Sequence, residues 1–317
     1  MNTVIVSTWQ TSCGIAQHTG MLMDAVIATG FRGPQDGYSV SPELLDPHAN
    51  VHMAVPDVLH LNYHMALHSR WTPEEIRQWR KNGVQVLVTL HDSGLPNSDQ
   101  AKAICAAADY FVVHEPYDDL PAHGEYLRMG VPLYDGGESF RPQCWYQRPL
   151  LGTIGHDFGW KNWDELARRT AAVGWGMRIC TPDITEAHAT QLYALNPWLD
   201  ICLGFWQVDA LRVLHDCDAT AFVNVCHNTG QSAAILQGIG ARKPVLALQD
   251  CRQYRALFLD RLGRDTIRWV QDFDALECQL KKLPIQRVDP GIVALAEQES
   301  WEKVGKRYAE IYRKLVA

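Results

Sequence analysis

Leu150-Leu151-Gly152-Thr153-Ile154-Gly155-His156-Asp157-Phe158-Gly159-Trp160-Lys161 is the stretch on which the fold turns. An apolar run ends on a glycine, a short loop follows, and helix-like sequence begins at Asn162. This is the strand, turn and helix opening of a parallel α/β unit, where the backbone bends sharply between an extended segment and a helix. It also opens a new unit. The preceding residues 134–149 carry Gly136, Gly137, Pro142 and Pro149 and interrupt any periodicity.

On the carboxyl side of this stretch, short apolar runs at 178–180, 201–203, 219–224, 244–248 and 266–270 read as strands between helix-like segments. Residues 233–240 read as one helix and 293–316 as a closing helix. On the amino side, strands are expected at 2–7, 58–61, 84–90 and 110–114, and a helix over 17–29. Residues 72–81 open on Thr72-Pro73-Glu74-Glu75, a capping hydroxyl followed by proline at the first turn and acids facing the helix dipole. The alternation predicts an α/β protein of two Rossmann-like domains facing across a cleft. The first spans 1–148, the second 149–295, and a closing helix 296–317 ends the chain. Ligands of such sheets bind beyond the carboxyl ends of the strands, so the loops there are the candidates for chemistry.

Composition narrows the function. The chain has 317 residues, 47% of them hydrophobic and 21% charged, which is globular material with ample apolar surface to bury. A net charge of −7 gives no general attraction to polyanions, so nucleic-acid binding would need a local basic patch. Nine scattered cysteines without a CxxC pair suit a reducing compartment. The first residues enter an apolar strand pattern without a basic leader, and no apolar run reaches the roughly 18 residues of a membrane span. A soluble, cytoplasmic protein is expected.

Four segments carry candidate site residues. The loop around Gly14 follows the first strand and leads into a helix, so its glycine either admits a ligand close to the backbone or simply makes the turn. Residues 86–89 form a buried strand delivering His91 and Asp92 at its carboxyl end; the imidazole is available to a sugar hydroxyl, or is satisfied by loop backbone. In the loop from Gly155 to Lys161, the lysine suits a diphosphate, although most loop lysines are solvated; Trp160 and Trp163 make this loop less surface-like than usual. Gly230, Gln231 and Ser232 place backbone N–H groups and a hydroxyl at a helix start, as an anion site, a helix cap by Thr229 or Ser232, or both. His60, His64 and His68 recur every fourth residue, but His60 falls in a strand pattern, which scatters the three and argues against a metal site.

Taken together, these segments resemble the retaining glycosyltransferases of the GT-B fold, nearly end to end. The run from Cys13 to Thr19 looks like that family's first glycine loop, and Val88-Thr89-Leu90-His91-Asp92 looks like its strand ending in a histidine that contacts the donor sugar. Gly136 to Pro142 resembles the interdomain stretch, Gly155 to Lys161 the loop whose basic pair holds the donor diphosphate, and the segment from Ser300-Trp301 to Leu315 the closing helix. The resemblance implies a hexosyltransferase-like enzyme using a UDP- or GDP-sugar donor, with no metal required. His91, Asp92 and Lys161 would be its catalytic groups; Gly14, Gly155, His156, Lys161, Thr229, Gly230, Gln231, Ser232 and Gln237 would hold the donor. The chain departs from the family at three points: His156 stands where the family has arginine, and Thr229 and Gln237 stand where it has two glutamates. The acceptor is expected to be a saccharide, a lipid-linked sugar or a small molecule rather than DNA. Two alternatives stay open. One is a non-catalytic sugar-nucleotide-binding protein. The other is a phage-type DNA base glycosyltransferase, motivated by the pairs Arg168-Arg169, Arg242-Lys243 and Lys281-Lys282.

Overall fold

A computed structural model describes residues 2–7, 14–31, 55–64, 71–91, 98–117, 120–134, 136, 148–204, 207–225, 231–285 and 288–317. The chain divides into two compact units: Met1–Gly130 with Thr229–Gln231 and Trp301–Ala317, and Val131–Asn228 with Ser232–Ser300. Each is a parallel-sheet α/β domain, as the alternation of strand and helix patterns requires.

In the first unit the order is β1 (Thr3–Val6), α1 (Gly14–Ala28), β2 (Val58–Tyr63), α2 (Pro73–Lys81), β3 (Gln85–Leu90), α3 (Asp99–Ala107), β4 (Tyr110–Val113) and β5 (Gly124–Tyr126), paired side by side in that sequence. Both faces are covered, so β1 to β4 are mostly apolar. Val4, Leu59, Leu61, Val86, Val88 and Phe111 pack with Ile76 and Ile104 of α2 and α3. Their neighbours Ile5, Val58, Leu87 and Val112 pack on the opposite face, with Leu22 and Val26 of α1. Thr72 closes a reciprocal cap with Glu75, the motif that its sequence signals.

The second unit runs β6 (Leu150–Ile154), a 3₁₀ turn (Gly159–Lys161), α4 (Trp163–Ala172), β7 (Gly176–Thr181), α5 (Glu186–Leu195), β8 (Leu199–Leu203), α6 (Gln207–His215), β9 (Ala219–Phe222), α7 (Ala233–Gly240) and β10 (Val245–Leu248). It continues through α8 (Arg255–Leu259), α9 (Arg261–Thr266), β11 (Arg268–Val270), α10 (Phe273–Lys282) and α11 (Pro290–Gln298), after which α12 (Trp301–Val316) returns to the first unit. The sheet order is β8-β7-β6-β9-β10-β11, all parallel. This is the doubly wound 3-2-1-4-5-6 order, with its reversal between β6 and β9. Trp163 and Leu166 of α4 pack with Ala219 and Ala221 on one face. Gly238 of α7 lies against Phe222 and Thr220 on the other.

Two expectations need correction. The closing helix is not continuous over 293–316: α11 ends at Gln298, and the next residues pair with another segment. Val131 donates its N–H to the Glu299 carbonyl at 2.7 Å and forms a bridge with Ser300, which takes the backbone out of the helix. α11 also starts earlier than the expected 293: Asp289 caps it and Pro290 occupies its first turn. β5 was not expected, because three residues, one of them glycine, carry too little pattern. Its glycine is required by the ring of Phe111, which occupies the space a Cβ at Gly124 would take.

α12 carries Val304, Tyr308, Ile311 and Tyr312 into the core beside α1. A Cβ at Gly305 would stand 2.6 Å from the Ala25 backbone of α1, which makes glycine necessary for this packing. Gly305→Ala is expected to destabilise the protein by about 1–3 kcal/mol, read as a lower urea midpoint with unchanged slope; an unchanged midpoint would contradict the close approach of these helices.

Candidate functional site

In the second unit, the residues expected at the site gather where the sheet order reverses. Leu151 pairs with Ala219 and Gly152 with Thr220, and the ladder goes no further toward the carboxyl ends of β6 and β9. The loop after β6 spans this opening. Asn162, in the left-handed conformation with φ 54°, donates from Nδ2 to the Val223 carbonyl at 2.9 Å, and the Val225 N–H donates to the Trp160 carbonyl at 2.9 Å. Both bonds tie the β6 loop to the chain leaving β9.

The tie turns Lys161 inward. It closes the 3₁₀ turn through its N–H to the Phe158 carbonyl at 2.8 Å and is only 7% exposed. Its side chain lies over Gly155: a Cβ there would stand 2.7 Å from Nζ and 2.8 Å from Cε. Gly155 also has φ 146°, so glycine is needed both for conformation and for space. The ammonium lies 5.5 Å from the centre of the Trp160 ring. Its position is at the switch point of the sheet, where ligands of such folds bind.

The rest of this loop is more acidic than the sequence reading anticipated. The ring of His156 pairs through Nδ1 with Asp183 Oδ2 at 3.3 Å, and the Asp157 N–H donates to Asp183 Oδ1 at 3.2 Å. Desolvation works to raise the Asp183 pKa, but the Asp157 amide and His156 outweigh it and lower the value. His188 of α5 bonds Asp157 at 2.7 Å and Asp164 at 3.2 Å; desolvation opposes its charge, yet the two carboxylates raise its pKa. Asp157, Asp164, Asp183 and His188 were not singled out in the sequence because they come from separate loops and helices. Trp163, expected to avoid water, is buried and stacks at 6.5 Å on His188.

Ser232 occupies the N-cap position of α7 without a side-chain capping bond, and its N–H donates to the Gln253 carbonyl at 3.4 Å. Gln237 is buried in α7. Gln231 accepts from the Met129 N–H at 2.8 Å through Oε1 and falls in the first unit. Gly14 begins α1. Asp92, Thr229 and Gly230 lie outside the described residues, as does His68. Of the basic residues raised for DNA binding, Arg168 and Arg169 bond Glu165, Arg169 also reaches Asp274 and Glu277, Lys281 pairs with Glu277, and Lys243 is buried.

His91 stands just past β3, and two further imidazoles join it. His18 of α1 lies 4.5 Å from it and His114, just past β4, lies 5.0 Å from it, ring centre to ring centre. His114 pairs through Nδ1 with the Leu127 carbonyl at 2.7 Å. Burial, then His114 and His60, lower the His18 pKa well below its ordinary value; burial and the surrounding histidines do the same to His91. Burial brings His114 down to about 4. His60, one strand away, bonds Tyr312 at 2.7 Å and Thr89 at 2.8 Å, with Tyr308 on Thr89 at 2.9 Å, and burial and His114 lower it to about 3. His60 therefore sits in a strand, as expected, inside a satisfied buried network.

No family model matches the chain, and no curated protein matches it. Solved structures do. WaaG, a glycosyltransferase involved in lipopolysaccharide biosynthesis, is 13% identical with a TM-score of 0.60, over 98% of this chain and 99% of its own. AviGT4, a glycosyltransferase involved in avilamycin A biosynthesis, is 14% identical with a TM-score of 0.60, over 99% and 97%. The pneumococcal O-GlcNAc transferase GtfA, in complex with UDP and GlcNAc, is 10% identical with a TM-score of 0.57, over 82% of this chain; the chain spans 57% of GtfA's length. The fold is that of the GT-B glycosyltransferases. Among the described residues no helix is long and apolar enough to cross a membrane.

The buried histidines set an acid limit on stability. Below about pH 6.5 the unfolded chain protonates His18, His60 and His114 while the folded chain does not, so stability falls as pH falls, toward the folded values of about 3 for His60 and about 4 for His114. Each such imidazole contributes a loss of about 1.4 kcal/mol per pH unit in that window. Urea midpoints measured in chelator-containing buffer at pH 7.5, 6.0 and 5.0 are expected to drop steeply between the last two; a flat profile would contradict the burial of these rings.

Proposed function

We propose that the second unit binds a nucleoside diphosphate sugar and that the protein transfers the sugar to an acceptor hydroxyl, with retention at the anomeric carbon. One observation carries the reading: the ammonium of Lys161, held inward over Gly155 at the reversal of the sheet order. The glycosyltransferase neighbours support it, and the UDP seen with GtfA makes a UDP-sugar the first donor to test, with GDP-sugars next.

In this reading the bond from the anomeric carbon to the diphosphate oxygen breaks, a bond to the acceptor oxygen forms, and the acceptor's proton leaves with the diphosphate. Lys161 stabilises the charge that develops on the leaving group, the step where fixed charge contributes most to rate. Backbone N–H groups at the start of α7 add to it, with the Ser232 hydroxyl, which makes no capping bond, beside them. His156 is a secondary contributor because Asp183 already engages its ring. No metal is assigned to the diphosphate. Saccharides, lipid-linked sugars and small molecules are the acceptors to test.

A second reading, sugar-nucleotide binding without turnover, is favoured by Gln237, a neutral and buried side chain at one of the two positions where the resemblance places a glutamate. Nucleotide release from UDP- and GDP-sugars separates the two. The wild type is expected to release nucleotide. Lys161→Ala is expected to lose roughly 10²–10³-fold in kcat, the scale of removing one donor to a developing negative charge. Gly155→Ala keeps the lysine but fills its space, and a comparable loss is expected. Binding without release in the wild type would establish the second reading; neither binding nor release would sink the donor site.

A further inference from the structure

Three imidazoles meet in the first unit, two of them buried and that of His91 partly so. His18 comes from α1, His91 from the end of β3 and His114 from the end of β4, and His18 and His114 are only 2% and 3% exposed. One ring nitrogen from each lies within 4.8 Å of the other two. Nε2 of His91, Nε2 of His114 and both ring nitrogens of His18 are buried and have no hydrogen-bond partner among the described residues. Buried polar atoms are almost always satisfied, so unsatisfied nitrogens on three rings that meet, one from each ring converging with the other two, require an explanation.

The neighbouring His60 provides the contrast. It is just as buried, yet both its nitrogens are bonded, to Tyr312 and Thr89. Burial of histidine in this domain therefore does not by itself leave ring nitrogens unsatisfied. His114 adds a directional argument. Its Nδ1 faces the Leu127 carbonyl at 2.7 Å, which can only accept, so the proton is on Nδ1 and the lone pair is on Nε2, the atom turned toward the cluster. A backbone carbonyl orienting an imidazole in this way is the usual support of a metal-bound histidine.

We propose that His18, His91 and His114 bind one Zn²⁺ ion. Three imidazole nitrogens with no carboxylate in the set suit zinc and its transition-metal neighbours, and not magnesium or calcium. A tetrahedral ion with bonds of about 2.0–2.1 Å needs ligand atoms about 3.3 Å apart, so the rings close inward on binding. Three protein ligands leave a fourth position open for water or another small oxygen ligand. The Trp301 ring, its centre 5.0 Å from that of His18 and steeply inclined to it, borders the cluster. The ion fixes the start of α1 against the ends of β3 and β4, and it takes the His91 lone pair that a sugar hydroxyl would otherwise use. This inference does not rest on the transferase reading, because zinc binding and nucleotide release are measured separately.

The full chain, stripped with a chelator, is titrated with Zn²⁺ in competition with a chromophoric chelator, and thermal unfolding is followed alongside. One equivalent is expected to bind and to raise the unfolding midpoint. His18→Gln and His114→Gln are each expected to weaken binding by more than the roughly 10–100-fold that loss of an orienting partner alone produces; His123→Gln is expected to leave it unchanged. X-ray absorption of the zinc-loaded unsubstituted chain reads the ligands without depending on a variant's folding, and three imidazole nitrogens are expected. Absence of stoichiometric binding, fewer than three imidazoles at the ion, or binding that survives both substitutions in folded protein would overturn the proposal.

Discussion

The second unit is organised by the incomplete pairing of β6 with β9. At their amino ends these strands are firmly joined: the Leu150 N–H donates to the Asp218 carboxylate at 2.8 Å, and the Asp218 N–H returns a bond to the Leu150 carbonyl at 2.8 Å. Two residue pairs later the ladder stops. The chain leaves β6 for α4 on one face and β9 for α7 on the other, so nothing in the sheet covers the opening between them. Asn162 closes it with a side-chain amide, at the cost of a left-handed backbone conformation unusual for a residue with a Cβ. Everything assigned to the donor site, including the inward turn of Lys161, depends on that closure.

Much of this was legible in the sequence. The run from Leu150 to Ile154 and the helix from Ala233 to Gly240 have the bounds that their composition predicts, because glycine and proline mark both ends of each pattern. Gly155 and Lys161 were recognisable as a pair from the loop they bound. The parts that were not legible depend on distance in space. Asp183 and His188 reach the loop from beyond β7, and no local pattern connects them to His156 or Asp157. The acidity they add is a property of the folded loop alone.

The histidines of the first unit make the same point from another direction. His91 and His114 both stand at strand ends, and His18 follows the first glycine loop, so each could be assigned to the carboxyl edge of the sheet. That they meet depends on β3 and β4 being adjacent and on α1 packing across the face they share, which the sequence order did not disclose. The fourfold spacing of His60, His64 and His68 drew attention to a histidine that turned out to serve the core. The convergent set had no sequence period at all. Spacing finds ligands that share one helix, whereas parallel sheets gather theirs from the ends of different strands.

The claim that the strand reversal in the second unit is a diphosphate site is tested most directly by determining the structure of the protein with UDP bound. The account places diphosphate oxygens within hydrogen-bonding distance of Lys161 Nζ, above Gly155 and beside the start of α7. A nucleotide seated elsewhere, with Lys161 still folded over Gly155 and touching no phosphate, would contradict it.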